Sequence, residues 1–281
     1  MSFAIIGNGF VGQATKILKT PNTKMLVYDI DPKKCEPQNT TIQDLEQCDI
    51  IFVSVPTPMG KDGRNHLGIV QSVVQELKEK INTKKSHIVI RSTVLPGTSN
   101  NLDCYFMPEF LTEKNWANDF KNCENWIFGL KNDDNEDFIN KITNIINQAY
   151  EHGCIAHNKI SFVKNSEAEL IKYFRNTYLA LKVSFCNEIF DYCVEKNIDY
   201  DTVANLATAD KRIGQSHSQV PGHDGRRGFG GTCFPKDTNA LLREFEDNNV
   251  PSFILRAAVE RNEKLDRPER DWSTDVGRAV I

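Results

Sequence analysis

Residues 7 to 12 read Gly-Asn-Gly-Phe-Val-Gly, directly after the apolar run Ser2 to Ile6 and directly before Gln13-Ala14-Thr15-Lys16-Ile17-Leu18. A short buried strand, a three-glycine turn and a helix start, in that order, leave few folds open. Gly7 makes the turn, Gly9 lets a pyrophosphate approach the backbone, and Gly12 permits close packing of helix on strand. The helix N-terminus then faces the phosphates. A second strand, Lys24 to Tyr28, ends in Asp29. Its carboxylate can bind both ribose hydroxyls and would repel a 2′-phosphate, so the pattern favours NAD over NADP. The plain alternative is a glycine turn in an α/β fold that holds no ligand.

The alternation continues down the chain. Asp49 to Val55 is rich in β-formers and ends in Pro56-Thr57-Pro58; Leu67 to Ile81 has helical spacing. His87 to Val94, Asp103 to Met107 and Trp126 to Leu130 read as strands, and a helix is expected from about Asp134 to Tyr150. Strands alternating with helices imply a doubly wound parallel sheet, a Rossmann-like domain over 1–163. Ligands of such sheets lie at the carboxyl ends of strands. Thr57, Ser92-Thr93 and Pro108-Glu109 fall at such ends, although each alone also reads as a turn or capping residue.

From residue 164 the pattern becomes all helical. Ser166 and Glu169 have capping-box spacing, and a helix follows to about Lys196, long enough to link domains or to form a dimer interface. Lys172 and Asn176 share one of its faces. The helical domain is expected over 164–270, with an irregular tail over 271–281. Composition excludes other classes. Formal charge is −4, from 34 basic and 38 acidic residues, with no basic stripe to hold nucleic acid or a membrane surface. No apolar run approaches the roughly 18 residues of a membrane span, and the N-terminal run lacks the basic flank of a signal peptide. The eight cysteines are dispersed without a C-x-x-C pair, which fits a reducing cytoplasm. His217 and His223 have no third ligand at a sensible spacing, so no metal is expected.

One cysteine stands apart. In Gly228-Phe229-Gly230-Gly231-Thr232-Cys233-Phe234-Pro235-Lys236-Asp237, a glycine-rich turn leads into a helix start marked by Pro235. Cys233 therefore precedes a helix N-terminus, where the dipole and N–H groups favour a thiolate. Asp237 is positioned to turn back toward the sulfur. Most cysteines are small buried hydrophobes, but the glycines and the Lys-Asp pair lift this one above that reading. The basic loop ahead of it, with Arg226 and Arg227, suits an anionic substrate such as a sugar-nucleotide diphosphate.

These residues carry a resemblance. The Gly228-to-Asp237 segment looks like the active-site signature of the UDP-glucose/GDP-mannose dehydrogenases. The Gly7-to-Gly12 fingerprint, Val55-Pro-Thr57-Pro, Arg91-Ser-Thr93-Val-Leu-Pro-Gly-Thr, Met107-Pro-Glu109-Phe-Leu-Thr-Glu113, Glu169-Leu-Ile-Lys172-Tyr-Phe-Arg-Asn176 and Asp210-Lys-Arg212-Ile-Gly follow in family order. The resemblance implies a two-step, four-electron oxidation of a sugar C6 alcohol to a carboxylate with two NAD, through a cysteine thiohemiacetal and thioester. Cys233 would be the nucleophile, and Asp237 would position or activate water. Lys172 and Asn176 would stabilise the oxyanion, and Glu109 would assist proton transfer. Glu109, Phe110, Lys172, Asn176, Arg212 and Gly230 would bind substrate. Gly7, Gly9, Phe10, Val11, Gly12, Asp29, Lys34, Thr57, Thr93, Glu113 and Lys236 would bind NAD.

The Cys-Phe-Pro-Lys-Asp form points to UDP-glucose, with GDP-mannose or another nucleotide sugar as the alternative and a homodimer through the long helix as the assembly. The chain also departs from the family. It ends shortly after the helical domain, where the family has a third, nucleotide-holding domain. The loop after the second strand is reduced to Pro32 through Thr41, and Thr93 to Glu109 is trimmed. A non-catalytic NAD-binding subunit and a hydroxyacid or 6-phosphogluconate-type dehydrogenase are the competing readings. Joint retention of Cys233, Lys172, Asn176 and Asp237 argues for catalysis.

Overall fold

The computed structural model describes residues 1–83, 85–132 and 135–281, and it divides into two compact units. The first comprises Met1–Thr57 and Leu67–Lys172, the second Pro58–His66 and Tyr173–Ile281.

The first unit is built on one sheet of seven strands. These are β1 (Ser2–Ile6), β2 (Lys24–Tyr28), β3 (Ile50–Val53), β4 (His87–Ile90), β5 (Tyr105–Phe106), β6 (Trp126–Leu130) and β7 (Ile160–Lys164), in the order β2-β1-β3-β4-β5-β6-β7. The helices are α1 (Phe10–Thr15), α2 (Gly68–Lys80), α3 (Thr98–Asn101), α4 (Trp116–Lys121), α5 (Glu136–Glu151) and the start of α6 (Asn165–Lys196). The expected first residue of α5, Asp134, lies outside the described residues. Pairing is parallel throughout except between β5 and β6, where Phe106 opposes Gly129. That one opposed pair constrains little; the direction of β6 is set by its long parallel ladder with β7. Strand β7, which the alternation did not reveal, is one edge of the sheet, and β2 is the other.

Strand side chains sort by alternation. Phe3 and Ile5, with Ile50 and Phe52, belong to one apolar cluster, and Ala4, Ile6, Ile51 and Val53 to the other. Because both faces are covered, these strands are continuously apolar over Phe3–Ile6 and Ile50–Val53. Helix α5 closes the first face through Phe138, Ile142, Ile145, Ile146 and Ala149, at the spacing of one helical stripe. Phe138 stacks on Tyr105 with ring centroids 3.6 Å apart. Helix α2 closes the second face through Val70, Val74 and Leu77. Each of the Phe, Ile, Leu and Val side chains among these contributes about 1.5–3 kcal/mol of transfer free energy.

The shortened segments are still used. Between β2 and β3, Pro32–Lys34 makes a 3-10 turn, and Glu36 exchanges backbone hydrogen bonds of 2.7 and 2.9 Å with Val27. The trimmed stretch after Thr93 keeps one turn of helix, α3, and the two-residue strand β5.

The capping box expected at the start of α6 is not made. Lys164 N–H is capped by Glu167 at 2.9 Å, while Glu169 is fully buried and turned to the loop before α3. Asn165 anchors the same helix end by donating to the Cys104 carbonyl at 2.8 Å.

The second unit contains the rest of α6 with α7 (Tyr200–Thr208), α8 (Phe234–Asp247) and α9 (Phe253–Arg261), which runs into a π turn at Asn262–Asp266. Helix α7 continues past Val203, where the apolar pattern breaks. Cys186, Cys193, Tyr200 and Val220 form a small core, and the Tyr200 hydroxyl donates to the Ser218 carbonyl at 2.6 Å. Residues 271–281 include a 3-10 turn at Asp271–Thr274, and Ala279 O accepts from Met59 N–H at 2.8 Å. No helix among the described residues is long and apolar enough to cross a membrane.

Candidate active site

The glycine loop of the first unit has three distinct constraints. Gly7 takes φ +89°, and a Cβ there would lie 2.5 Å from the Ser54 carbonyl oxygen. A Cβ on Gly12 would lie 2.0 Å from the Gly7 carbonyl oxygen, so helix and turn touch backbone to backbone. Around Gly9 nothing lies within 4 Å of a Cβ position. Two glycines are thus required by packing, while the third faces open space, the cradle a dinucleotide phosphate needs. Phe10 and Val11 open α1 and are half-buried.

Asp29 is held from both sides. One carboxylate oxygen accepts from Asn8 N–H at 2.7 Å, the other from Asp31 N–H at 2.9 Å. Lys34 is exposed on the 3-10 turn; its carbonyl accepts from the Asn8 side chain at 2.7 Å. Thr57, after β3, and Thr93, after β4, are buried. Glu113 is exposed on the segment after β5. All of the first-unit residues expected to bind NAD lie beyond the carboxyl ends of β1 to β5, where ligands of such sheets sit.

Two buried carboxylates organise the neighbouring loops. Glu169 accepts from Gly97 N–H at 2.6 Å and Ser99 N–H at 2.8 Å, which ties α6 to the loop carrying Thr93. Burial pushes its carboxyl above the ordinary value, and those N–H groups offset part of the rise. Glu109 faces Lys172: the ammonium reaches Glu109 Oε1 at 2.5 Å and the Glu109 carbonyl at 2.7 Å. Both residues are buried, and Phe110 places its ring 5.9 Å from the same ammonium. Arg91 is also fully inside, donating to Thr15 Oγ1 and lying over the Phe120 ring; burial brings its pKa down to about 10.

In the second unit, Cys233 is the N-cap of α8, with Pro235 in the first turn and the Cys233 carbonyl accepting from Asp237 N–H at 2.8 Å. The residue is half-exposed, and its Sγ lies 3.7 Å from Thr232 Oγ1. Asp237 is fully buried and turns to two side chains. Asn176 Nδ2 donates to it at 2.6 Å, and the Lys236 ammonium makes a short contact with its other oxygen. Burying an ion pair costs several kcal/mol per charge in desolvation, so a Lys-Asp pair at a helix start is not explained by stability. Arg212 is 89 % exposed and pairs with Asp210 at 2.6 Å.

The turn before Cys233 is clamped by residues no local pattern marks. Asn262, fully buried at the α9 end, accepts from Phe229 N–H at 2.8 Å and donates to the Phe229 carbonyl at 2.9 Å. Arg267 lies under Gly230, where a Cβ would meet its guanidinium carbon at 2.3 Å, and is itself paired with Asp224 and Asp271 at 2.7 Å each. Asn262 sits among Glu260, Arg261, Glu263 and Lys264, so nothing in its sequence surroundings marks it. Among the described residues no group of three or more His, Cys, Asp or Glu side chains is arranged to hold a metal ion.

Comparison with known proteins follows this geometry. Residues 37–149 match the NAD binding domain of the UDP-glucose/GDP-mannose dehydrogenase family, and residues 166–264 match its central domain. A UDP-glucose 6-dehydrogenase of Rickettsia bellii is 32 % identical over 79 % of this chain and 51 % of its own length. UDP-glucose 6-dehydrogenase TuaD of Bacillus subtilis is 31 % identical over 93 % of this chain and 59 % of its own. The solved UDP-glucose dehydrogenase of Pyrobaculum islandicum superposes with a TM-score of 0.79 at 25 % identity, covering 93 % of this chain and 68 % of that one. The chain spans about half the length of several of the curated relatives it matches.

Proposed function

The chain belongs to the UDP-glucose/GDP-mannose dehydrogenase family and carries its NAD-binding domain; on that premise we propose that it oxidises a UDP-sugar, UDP-glucose above all, at C6 to the uronate. The observation that carries this reading is the buried set Asn176–Asp237–Lys236 at the foot of the helix that Cys233 caps. Such a set is costly as structure and useful as chemistry. NAD, when bound, supplies the hydride acceptor for both oxidations. Gly7 to Gly12, Asp29, Lys34, Thr57, Thr93, Glu113 and Lys236 would hold it.

The residues then divide the remaining work. The Cys233 sulfur adds to the C6 aldehyde, forming a C–S bond and a thiohemiacetal. Loss of the remaining C6 hydride together with the hydroxyl proton leaves a thioester. Water breaks the C–S bond, giving the carboxylate and returning the thiol. Asp237 orients and activates that water, Lys172 and Asn176 stabilise the oxyanion on the sugar carbon, and Glu109 passes protons through water. Arg212, Phe110 and Gly230 are assigned to substrate. Over the whole reaction, alcohol, water and two NAD give carboxylate, two NADH and three protons.

Apolar side chains on the outer face of α6 and at the start of α9 support a homodimer through the long helix: Phe185 is 64 % exposed, Phe253 82 % and Ile254 75 %. Light scattering after size exclusion tests this assembly. We assign the reaction to the cytoplasm, where thiols stay reduced.

The test is NADH formation by purified chain with UDP-glucose and, separately, GDP-mannose. A higher kcat/KM for UDP-glucose is expected, and a Cys233→Ala variant should form no acid. Preference for GDP-mannose would move the substrate to the other branch. NAD binding with no NADH from any nucleotide sugar would leave an NAD-binding subunit, and a fully active Cys233→Ala would remove the thioester route.

A further inference from the structure

The second residue of the glycine fingerprint, Asn8, has no assigned part in the site, yet its side chain makes two hydrogen bonds there and its backbone N–H a third. It is 8 % exposed and makes three contacts to three different elements. Its backbone N–H donates to Asp29 Oδ2 at 2.7 Å, across 21 residues. Its Nδ2 donates to the Lys34 carbonyl at 2.7 Å, across 26 residues. Its Oδ1 accepts from Gln13 Nε2, on α1, at 2.7 Å.

Each contact is directional, and together they fix a loop that has no regular ladder of its own. Glycines on either side of Asn8 leave the turn with few side-chain restraints, so in their absence the loop would lose conformational freedom on binding a ligand. Asp29 and the Pro32–Lys34 turn come from the end of β2, whereas the glycine loop comes from the end of β1. The β1–β2 ladder ends at the Ile6–Tyr28 pair, and one further backbone bond, Gly7 N–H to the Tyr28 carbonyl at 2.9 Å, joins the two ends; neither reaches the Lys34 turn. The Asn8 side chain does reach it: its two amide atoms join Gln13 on one side to Lys34 on the other, while the bond to Asp29 comes from its backbone N–H and does not depend on the side chain. An aliphatic side chain would supply neither bond.

We infer that the Asn8 side chain is a positioning group that fixes the Lys34 turn against the glycine loop and α1, so that this turn and the neighbouring Asp29 form one preorganised receptor for the adenosine-ribose half of NAD. This rests on the NAD reading above. A side chain acting in this way determines affinity for the adenosine half and does nothing for the nicotinamide half. ADP-ribose, which lacks nicotinamide, therefore reports on it as well as NAD does.

The experiment is calorimetric titration of the full chain and of Asn8→Ala with NAD and with ADP-ribose, alongside thermal unfolding of each protein. Asn8→Ala should weaken both ligands by the same factor, about 10-fold, the scale of its two side-chain hydrogen bonds. Gln13→Leu breaks only one of the two side-chain contacts and should weaken both ligands about 3-fold; it serves as the deciding variant if Asn8→Ala does not fold. Unchanged binding in Asn8→Ala, or in Gln13→Leu where that variant decides, overturns the inference. So does a loss for NAD with ADP-ribose unaffected, because the effect would then lie at the nicotinamide end. Failure of the wild-type chain to bind either ligand overturns the NAD reading, and the inference with it.

Discussion

Removal of Asp237 should damage stability more than removal of its cation, and the two losses should not add. Asp237 has no exposed surface, and the Lys236 side chain is 8 % exposed. Asp237→Ala leaves a buried ammonium without its carboxylate, at about 3–5 kcal/mol. It also removes the acceptor that Asn176 Nδ2 uses at 2.6 Å, at about 1 kcal/mol or more. Lys236→Met leaves a carboxylate that keeps the Asn176 bond and lies in the first turn of α8, where a helix dipole favours an anion, so it should cost less. In the double variant neither charge remains. Its loss should fall short of the sum of the single losses by about 1–3 kcal/mol, the coupling of a contacting pair. Urea denaturation of the four proteins gives the cycle. Strict additivity would refute the reasoning, because it would mean that each group is separately solvated in the folded chain. Asp237→Asn keeps an acceptor for Asn176 and should remain folded, yet form uronate about 10²-fold more slowly if the carboxylate handles water.

Other consequences can be checked independently. Gly9→Ala should leave the melting temperature unchanged, since nothing lies within 4 Å of its Cβ, but weaken NAD at least about 10-fold; Gly12→Ala, 2.0 Å from the Gly7 carbonyl, should lower both stability and NAD affinity. Calorimetry and thermal unfolding separate the two effects. Hydrogen bonds from Arg267 hold the Asp271 carboxyl below its ordinary value of 3.8. A lowered carboxyl pKa contributes stability that is present above the unfolded value and is lost as pH falls through the folded one. Acid unfolding followed below about pH 4 should therefore have a shallower pH slope in Asp271→Asn than in wild type, and an equal slope would count against that ion pair.

Much of the first unit was legible because its information is local. The Gly7-to-Gly12 turn, β1, β2 and β6 depend on residues adjacent in the chain, and they lie where the pattern places them. Strand β7 was not legible: its five residues are half-exposed or exposed, so it lacks the continuous apolar run of its buried neighbours. The antiparallel step at β5 rests on one opposed pair, which no periodicity records. Glu169 has the spacing of a capping residue, but its partners, Gly97 and Ser99, lie about 70 residues away. Cys233 at the head of α8 could be read from glycine, proline and helical spacing. The Asn262 clamp on Phe229 spans 33 residues and depends on where α9 ends. The side chains that hold the site in place are thus set by long-range contacts, whereas those that resemble a reaction centre lie in short contiguous motifs.

The most direct test of the central claim is the number of NADH molecules formed for each UDP-glucose consumed to completion, with the sugar product identified by mass spectrometry. The thiohemiacetal–thioester route through Cys233 predicts two NADH and the uronate. One NADH with a C6 aldehyde as the final product would contradict it.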